Sequence, residues 1–135
     1  MENKGLEKWF QRDVRPVGEL ELPSAGITVE LRALDWKTVN NIRKKNSHTN
    51  KSGVLVRNED GLPMDMIATA IQKINGTPFN FYDKEVLSRL GAKTHEEAIN
   101  SRFLVSEVAM LLKKINELGS NTAEAEDKEI EELKN

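Results

Sequence analysis

The sequence predicts an α+β protein, mostly α-helical, with an N-terminal β-hairpin packed on a small bundle of about four helices. Three observations predict it. Two apolar-alternating runs flank the turn Pro23-Ser24-Ala25-Gly26. Further along, four segments carry apolar residues at helical spacing behind Asp, Thr or Pro start signals. The chain has 135 residues, enough for one domain with a real core and too few for two. The organisation that follows is an arm over 1–15, a single globular domain over 16–119, and an acidic tail over 120–135.

In the arm, Leu6, Trp9, Phe10 and Val14 recur at near-helical spacing, and Pro16 stops any helix there. A turn or two of helix and a loose docking arm are both open readings. Trp9 and Phe10 are costly to leave in water, so they are expected to touch something. The first strand of the hairpin holds Val17, Leu20 and Leu22. In the second, Ile27, Val29 and Leu31 alternate with Thr28, Glu30 and Arg32, giving one dry and one wet face. A lone hairpin is marginal, so it must pack on helices or pair with another edge.

Asp35 is placed to N-cap a helix to about Lys45, with Trp36, Val39 and Ile42 as its apolar stripe. Arg43, Lys44 and Lys45 suit its C-terminal dipole. Residues 46–53 are polar and read as a loop. Val54-Leu55-Val56 and Asp60-Gly61 read as a small strand and turn. Pro63 starts a helix through Met64, Ile67, Ile71 and Ile74, stopped by Gly76, with a strand as the competing reading for Met64–Thr69.

Asp83 caps a short helix to Leu90, ended by Gly91. Thr94-His95-Glu96-Glu97 is a capping box before a longer helix. Leu104, Val108, Leu111, Ile115 and Leu118 form the strongest stripe in the chain, closed by Gly119. Trp36, Ile67, Ile71, Leu111 and Ile115 are assigned to the core.

Composition narrows the function. Hydrophobic residues make up 38% and charged ones 31%, as in a polar, soluble protein. No apolar run approaches the roughly 20 residues that cross a bilayer. Residues 1–5 lack a signal-peptide core. The chain has no Cys, which fits a reducing cytoplasm. Net charge is −2, unevenly spread. From Ser120 onward, six acids stand against Lys128 and Lys134, a net of −4 that leaves the rest at +2. The tail has only Ile130 and Leu133 as anchors. It reads as disordered alone and orderable on a partner.

Chemistry-bearing clusters are few. His95, in the first turn of a capped helix, and His48, in a polar loop, read as surface histidines without a base's partner or pocket. The acid pairs Glu59-Asp60 and Glu96-Glu97 lack the converging ligands of a metal site. Arg43-Lys44-Lys45 with Lys51 has no interleaved aromatics, which argues against nucleic-acid binding. No catalytic, cofactor or metal residues are assigned. The candidate partner-binding residues are Trp9, Phe10, Phe79, Phe81 and Tyr82. For the Phe79–Tyr82 cluster, exposure to a partner and anchoring of its loop on the body both stay open.

Several strings together carry a resemblance. They are the Pro23-Ser24-Ala25-Gly26 turn, the run Ile27-Thr28-Val29-Glu30-Leu31-Arg32-Ala33-Leu34, Asn41-Ile42-Arg43-Lys44-Lys45, Ile67-Ala68-Thr69-Ala70-Ile71, Asp83 to Gly91, and Ile115-Asn116-Glu117-Leu118-Gly119. From about Leu20 to Gly119 the chain resembles the XkdN-like tail assembly chaperones of phages and prophages of Gram-positive bacteria. Ser101-Arg102-Phe103-Leu104 departs from the pattern, where a Pro-Gly turn is expected, and leaves the last helix's length open.

The resemblance implies a cofactor-free cytoplasmic protein that binds the tape measure protein and prevents its aggregation. It also implies recruitment of tail tube protein, and in many relatives a longer frameshifted form. Self-association is compatible with it. The other readings are a structural tail-completion or connector protein, which would stay in the particle, and a small DNA-binding regulator with salt-dependent affinity.

Overall fold

The structure, a computed structural model, describes residues 4–134, with side chains over 5–119. In chain order the elements are α1 (Lys4–Phe10), β1 (Val17–Leu22), β2 (Ile27–Arg32), α2 (Trp36–Lys45), β3 (Ser47–Thr49), β4 (Leu55–Arg57), α3 (Gly61–Ala70), β5 (Ile71–Ile74), β6 (Thr77–Pro78), α4 (Lys84–Arg89), α5 (His95–Arg102) and α6 (Val105–Lys134).

The expected mostly helical bundle does not form. Among the described residues there are six helices and six strands, in a four-stranded and a two-stranded antiparallel sheet. The class is therefore a mixed α+β arrangement. β1 and β2 pair antiparallel, with Leu20 opposite Val29 and Leu22 opposite Ile27. They do not stand as a separate hairpin; they form one side of the sheet β1-β2-β5-β6.

The reason lies at the end of α3. The spacing Met64, Ile67, Ile71, Ile74 predicts helix throughout, yet the backbone turns extended at Ile71, with φ −68° and ψ 125°. Extended, Ile71 pairs with Leu31 and Ile74 with Val29, which covers an edge of β2 that would otherwise stay open. Asn75 and Gly76 both have positive φ, 51° and 76°, and reverse the chain into β6. An Asn-Gly pair with both residues left-handed is the two-residue hairpin turn that matches strand twist. Gly76 is thus a hairpin glycine rather than a helix stop.

Two other segments differ from expectation. Ser47–Thr49, read as loop, pairs with Leu55–Arg57. The last helix is split. α5 stops at Phe103, whose backbone is extended at φ −115° and ψ 141°. α6 starts afresh behind Leu104, whose N–H donates to Glu107 Oε1 at 2.8 Å. That is the glutamate half of a capping box, and the Ser24 hydroxyl donates to its other oxygen at 2.7 Å. Gly119 does not end α6. The side chains of the 120–135 segment, expected to be a separate tail, lie outside the described residues.

The core sits between one face of the four-stranded sheet and the helices. Leu22, Val29 and Leu31 from the sheet meet Ile67 of α3, Ile99 of α5, and Leu111 and Ile115 of α6. Burying each such side chain contributes roughly 1.5–3 kcal/mol. Gly18 lets α6 lie close on β1, since a Cβ there would come within 2.7 Å of Leu118 Cδ2. Trp36, expected in the core, is 72% exposed and carries the Arg43 guanidinium 5.8 Å from its ring centre. It occupies the first position of α2, while Ile42 alone of that stripe is buried.

Candidate functional site

Asp65 is a carboxylate on an otherwise apolar stretch of α3, and it is buried. Three elements converge on it. Asn46, just past α2, donates from Nδ2 to Asp65 Oδ2 at 2.7 Å and to the Ile42 carbonyl at 2.8 Å, so it also caps α2. His95, first residue of α5, donates from Nε2 to Asp65 Oδ1. Tyr82 donates its hydroxyl to the same oxygen at 3.4 Å, and the Lys45 ammonium lies 3.7 Å away. The Tyr82 and His95 rings meet at 4.7 Å, tilted by 46°, and Lys45 sits 5.7 Å over the Tyr82 ring.

The electrostatics follow from these contacts. Burial alone would raise the Asp65 pKa. The hydrogen bonds from Asn46 and His95 and the Lys45 charge outweigh burial and hold it below its ordinary value. Burial first, and then the Asp65 charge, push the Tyr82 hydroxyl up. A hollow of about 350 Å³ opens beside His95, Tyr82 and Glu96.

Ligand atoms of Asp65, His95 and Glu96 lie within 4.8 Å of one another, close enough to hold a metal ion. However, Oδ1 of Asp65, the oxygen nearest His95, is already shared by His95 and Tyr82 with the Lys45 cation beside it. The donor set fits a satisfied ionic junction better than a coordination site. The Asp–His pair carries no hydrogen-bonded nucleophile among the described residues. The nearby Thr94 hydroxyl is engaged in accepting from the Glu97 N–H at 3.2 Å. The junction ties α2, α3, α5 and the loop after β6 together.

The residues expected to bind a partner divide into two groups. Phe81 is 2% exposed and meets Phe79 and Phe103 edge-on at 4.8 and 6.1 Å. Phe79 is partly buried against the core, and Tyr82 lies half over the Asp65 junction. Trp9 and Phe10 are 61% and 71% exposed on α1, their rings in edge contact with each other at 5.5 Å. Sequence reasoning missed Asp65 and the role of His95. The available signal was a lone carboxylate between Met64 and Met66 on a helix start that is otherwise apolar. Leu104, Val105, Val54 and Leu55 add to the exposed apolar surface.

A second feature is a cleft of about 480 Å³ between α2, the β3–β4 pair and the start of α3. Arg43, Lys44 and Arg57 line it together with Leu55 and Leu62, and Glu59 is the one acid among its lining residues.

The geometry is thus a tied body carrying an exposed aromatic arm and a basic cleft, an arrangement suited to protein contacts. The family model of the phage XkdN-like tail assembly chaperones matches residues 6–134. The chain belongs to this family. No curated protein and no solved structure matches it. Its role is accordingly that of a phage tail assembly chaperone, and the family match takes in both the arm and the acidic segment. Among the described residues of this chaperone, no helix is long and apolar enough to cross a membrane.

Proposed function

We propose that this chaperone binds the tape measure protein of a phage tail in the host cytoplasm, keeps its apolar helices from aggregating, and hands it on with tail tube subunits. It acts without catalysis or cofactor. The observation that carries this reading is the membership in the tail assembly chaperone family. What supports a contact surface on the arm is the unburied pair Trp9 and Phe10, exposed on a short helix. Exposed aromatics next to a rigid body suit a client whose long helices present repeated apolar stripes. Many weak sites along such a client hold by avidity and release as the tail assembles.

Co-expression tests it. The tagged chain is produced with the long helix-rich protein from the next reading frame downstream. Solubility of that protein only in the chaperone's presence, with many copies co-eluting, is the expected result. The double variant Trp9→Ser with Phe10→Ser should keep its fold and lose most of this rescue. A client that is soluble alone and never co-elutes overturns the reading.

A further inference from the structure

Three cations from two elements line the cleft beside α2. Asn40, Arg43 and Lys44 stand three and four residues apart, on one side of that helix. The β3–β4 ribbon adds Leu55 and Arg57, which alternate onto one of its faces, with Ser47 directly opposite Arg57. Leu62, at the start of α3, lines it too.

Hydrogen bonds fix these walls on one another. The Ser47 hydroxyl donates to the Arg43 carbonyl at 2.8 Å, and the Asn58 N–H donates to the Asn46 carbonyl at 2.6 Å. The Gly61 N–H donates to Asn58 Oδ1 at 3.1 Å. Gly61 also has to be glycine, since a Cβ there would collide with the Asn46 and Asn58 side chains. Asn46 is itself tied to Asp65, so the cleft rests on the buried junction.

The charges in it are not neutralised locally. Among the described residues the ion pairs are those of Lys45 and His95 with Asp65, and Arg43, Lys44 and Arg57 make none. Three cations stand against the single acid Glu59, so their mutual repulsion favours an anion between them. Arginine pairs with a carboxylate through two parallel hydrogen bonds. Apolar surface lies among these charges. Leu55 is 56% exposed, and its neighbours Val54 and Val56 are exposed as well. An occupant that is both acidic and aliphatic satisfies both kinds of surface. Nucleic acid fits less well, because no aromatic side chain lines the cleft to stack a base.

We propose that this cleft docks an acidic segment of a partner protein that carries large aliphatic residues between its acids. The carboxylates pair with Arg43, Lys44 and Arg57, and an aliphatic side chain lies against Leu55 and Leu62. A cleft of about 480 Å³ takes only a few residues, so the contact is short and salt weakens it. None of the lining residues belongs to the arm, and no tape measure protein enters the test. The site therefore holds or fails independently of the function proposed above.

The test is fluorescence anisotropy of labelled synthetic peptides added to the full chain. Glutamates are interspersed with leucine at every second, third or fourth position, which offers both an extended and a helical segment. Saturable binding by at least one peptide is expected, weakened about tenfold or more by Lys44→Glu with Arg57→Glu. Leu55→Ser should weaken it about threefold. Peptides with serine for leucine, or lysine for glutamate, should not saturate. The substituted positions are exposed, so the variants should keep the parent's circular dichroism and urea midpoint. Lys84→Glu with Lys113→Glu, at exposed positions outside the cleft, makes the same change in net charge and should leave binding within about twofold.

If no peptide saturates, or if the cleft and control variants weaken binding equally, the proposal falls. A single-stranded oligonucleotide of equal charge that binds more tightly than any peptide, and is lost in the cleft variant, would assign the cleft to nucleic acid. A parent dimer that the cleft variant splits would assign it to a second copy. Either result overturns the proposal.

Discussion

Replacing Asp65 by Ala tests whether the junction beneath Tyr82 holds the body together. The substitution strips the Asn46 amide and the His95 ring of their shared acceptor. A hydrogen bond to a charged group contributes about 1.5–3 kcal/mol, and two such bonds are lost. Lys45 is 61% exposed, so its pairing adds only about 0–1 kcal/mol. Relief of the carboxylate's own desolvation offsets part of the sum. The expected loss is about 3–5 kcal/mol, the range for breaking a buried charged pair. Urea titration followed by far-UV circular dichroism reads it as a lower midpoint at unchanged slope. Asp65→Asn keeps the shape and one acceptor, and should lose less.

The pH dependence gives an independent check on Asp65. Its folded pKa is depressed below the ordinary 3.8. The stability it contributes is therefore fully present above the unfolded value and is lost as pH falls through the depressed folded value. The gap between parent and Asp65→Asn should hold from neutral pH to about 5 and shrink below about 4. A double-mutant cycle with His95→Ala should give a coupling of about 1–2 kcal/mol. A loss below about 1 kcal/mol for Asp65→Ala, or a cycle that closes to zero, would refute the reasoning.

Three further outcomes follow from the fold. Leu111→Ala leaves a cavity under the sheet, where the side chain is fully buried, and should cost about 2–5 kcal/mol by the same denaturation assay. Gly76→Ala forces a side chain into a backbone with φ 76° and should cost about 1–2 kcal/mol, with weakened amide protection at Ile74 and Thr77. Trp36→Ala removes an exposed ring whose partner is the Arg43 guanidinium, and should change stability by less than about 1 kcal/mol. A loss near that of Leu111→Ala would place Trp36 in a contact the structure does not contain.

What the sequence made legible followed local rules. The caps at Asp35, Asp83 and Thr94 form as their side chains predict. The alternation in Ile27–Arg32 gives a strand with Val29 and Leu31 buried. What it hid was decided by tertiary competition. Ile71 and Ile74 satisfy a helical spacing and a strand equally, and the open edge of β2 selects the strand. The Asn75-Gly76 turn was readable as a hairpin signal, but the helical stripe before it masked that reading. Trp36 shows the reverse error, since an apolar residue on the first turn of a helix can face solvent while Ile42 carries the burial.

Asp65 was hidden for a different reason. Its partners come from positions 46, 82 and 95, so no local pattern announces them. A buried, fully satisfied charge contributes little net stability but penalises every arrangement that leaves it unpaired. In a small body with few aromatics, such a junction fixes how α5 and the Phe79–Tyr82 loop sit on α3. Phe81 then fills the core behind it, while Trp9 and Phe10 stay outside on α1. The division has a functional logic. A chaperone that exposes aromatic side chains for a client must not let them collapse into its own core. The polar junction helps by making the body's packing unique, so that Trp9 and Phe10 stay on the exposed arm. If that logic holds, Asp65→Asn should loosen the body and let Trp9 bury itself non-specifically, and its acrylamide quenching in the Trp36→Phe background should fall. Quenching that stays at the parent level while stability drops would separate the two roles and leave Asp65 a purely structural residue.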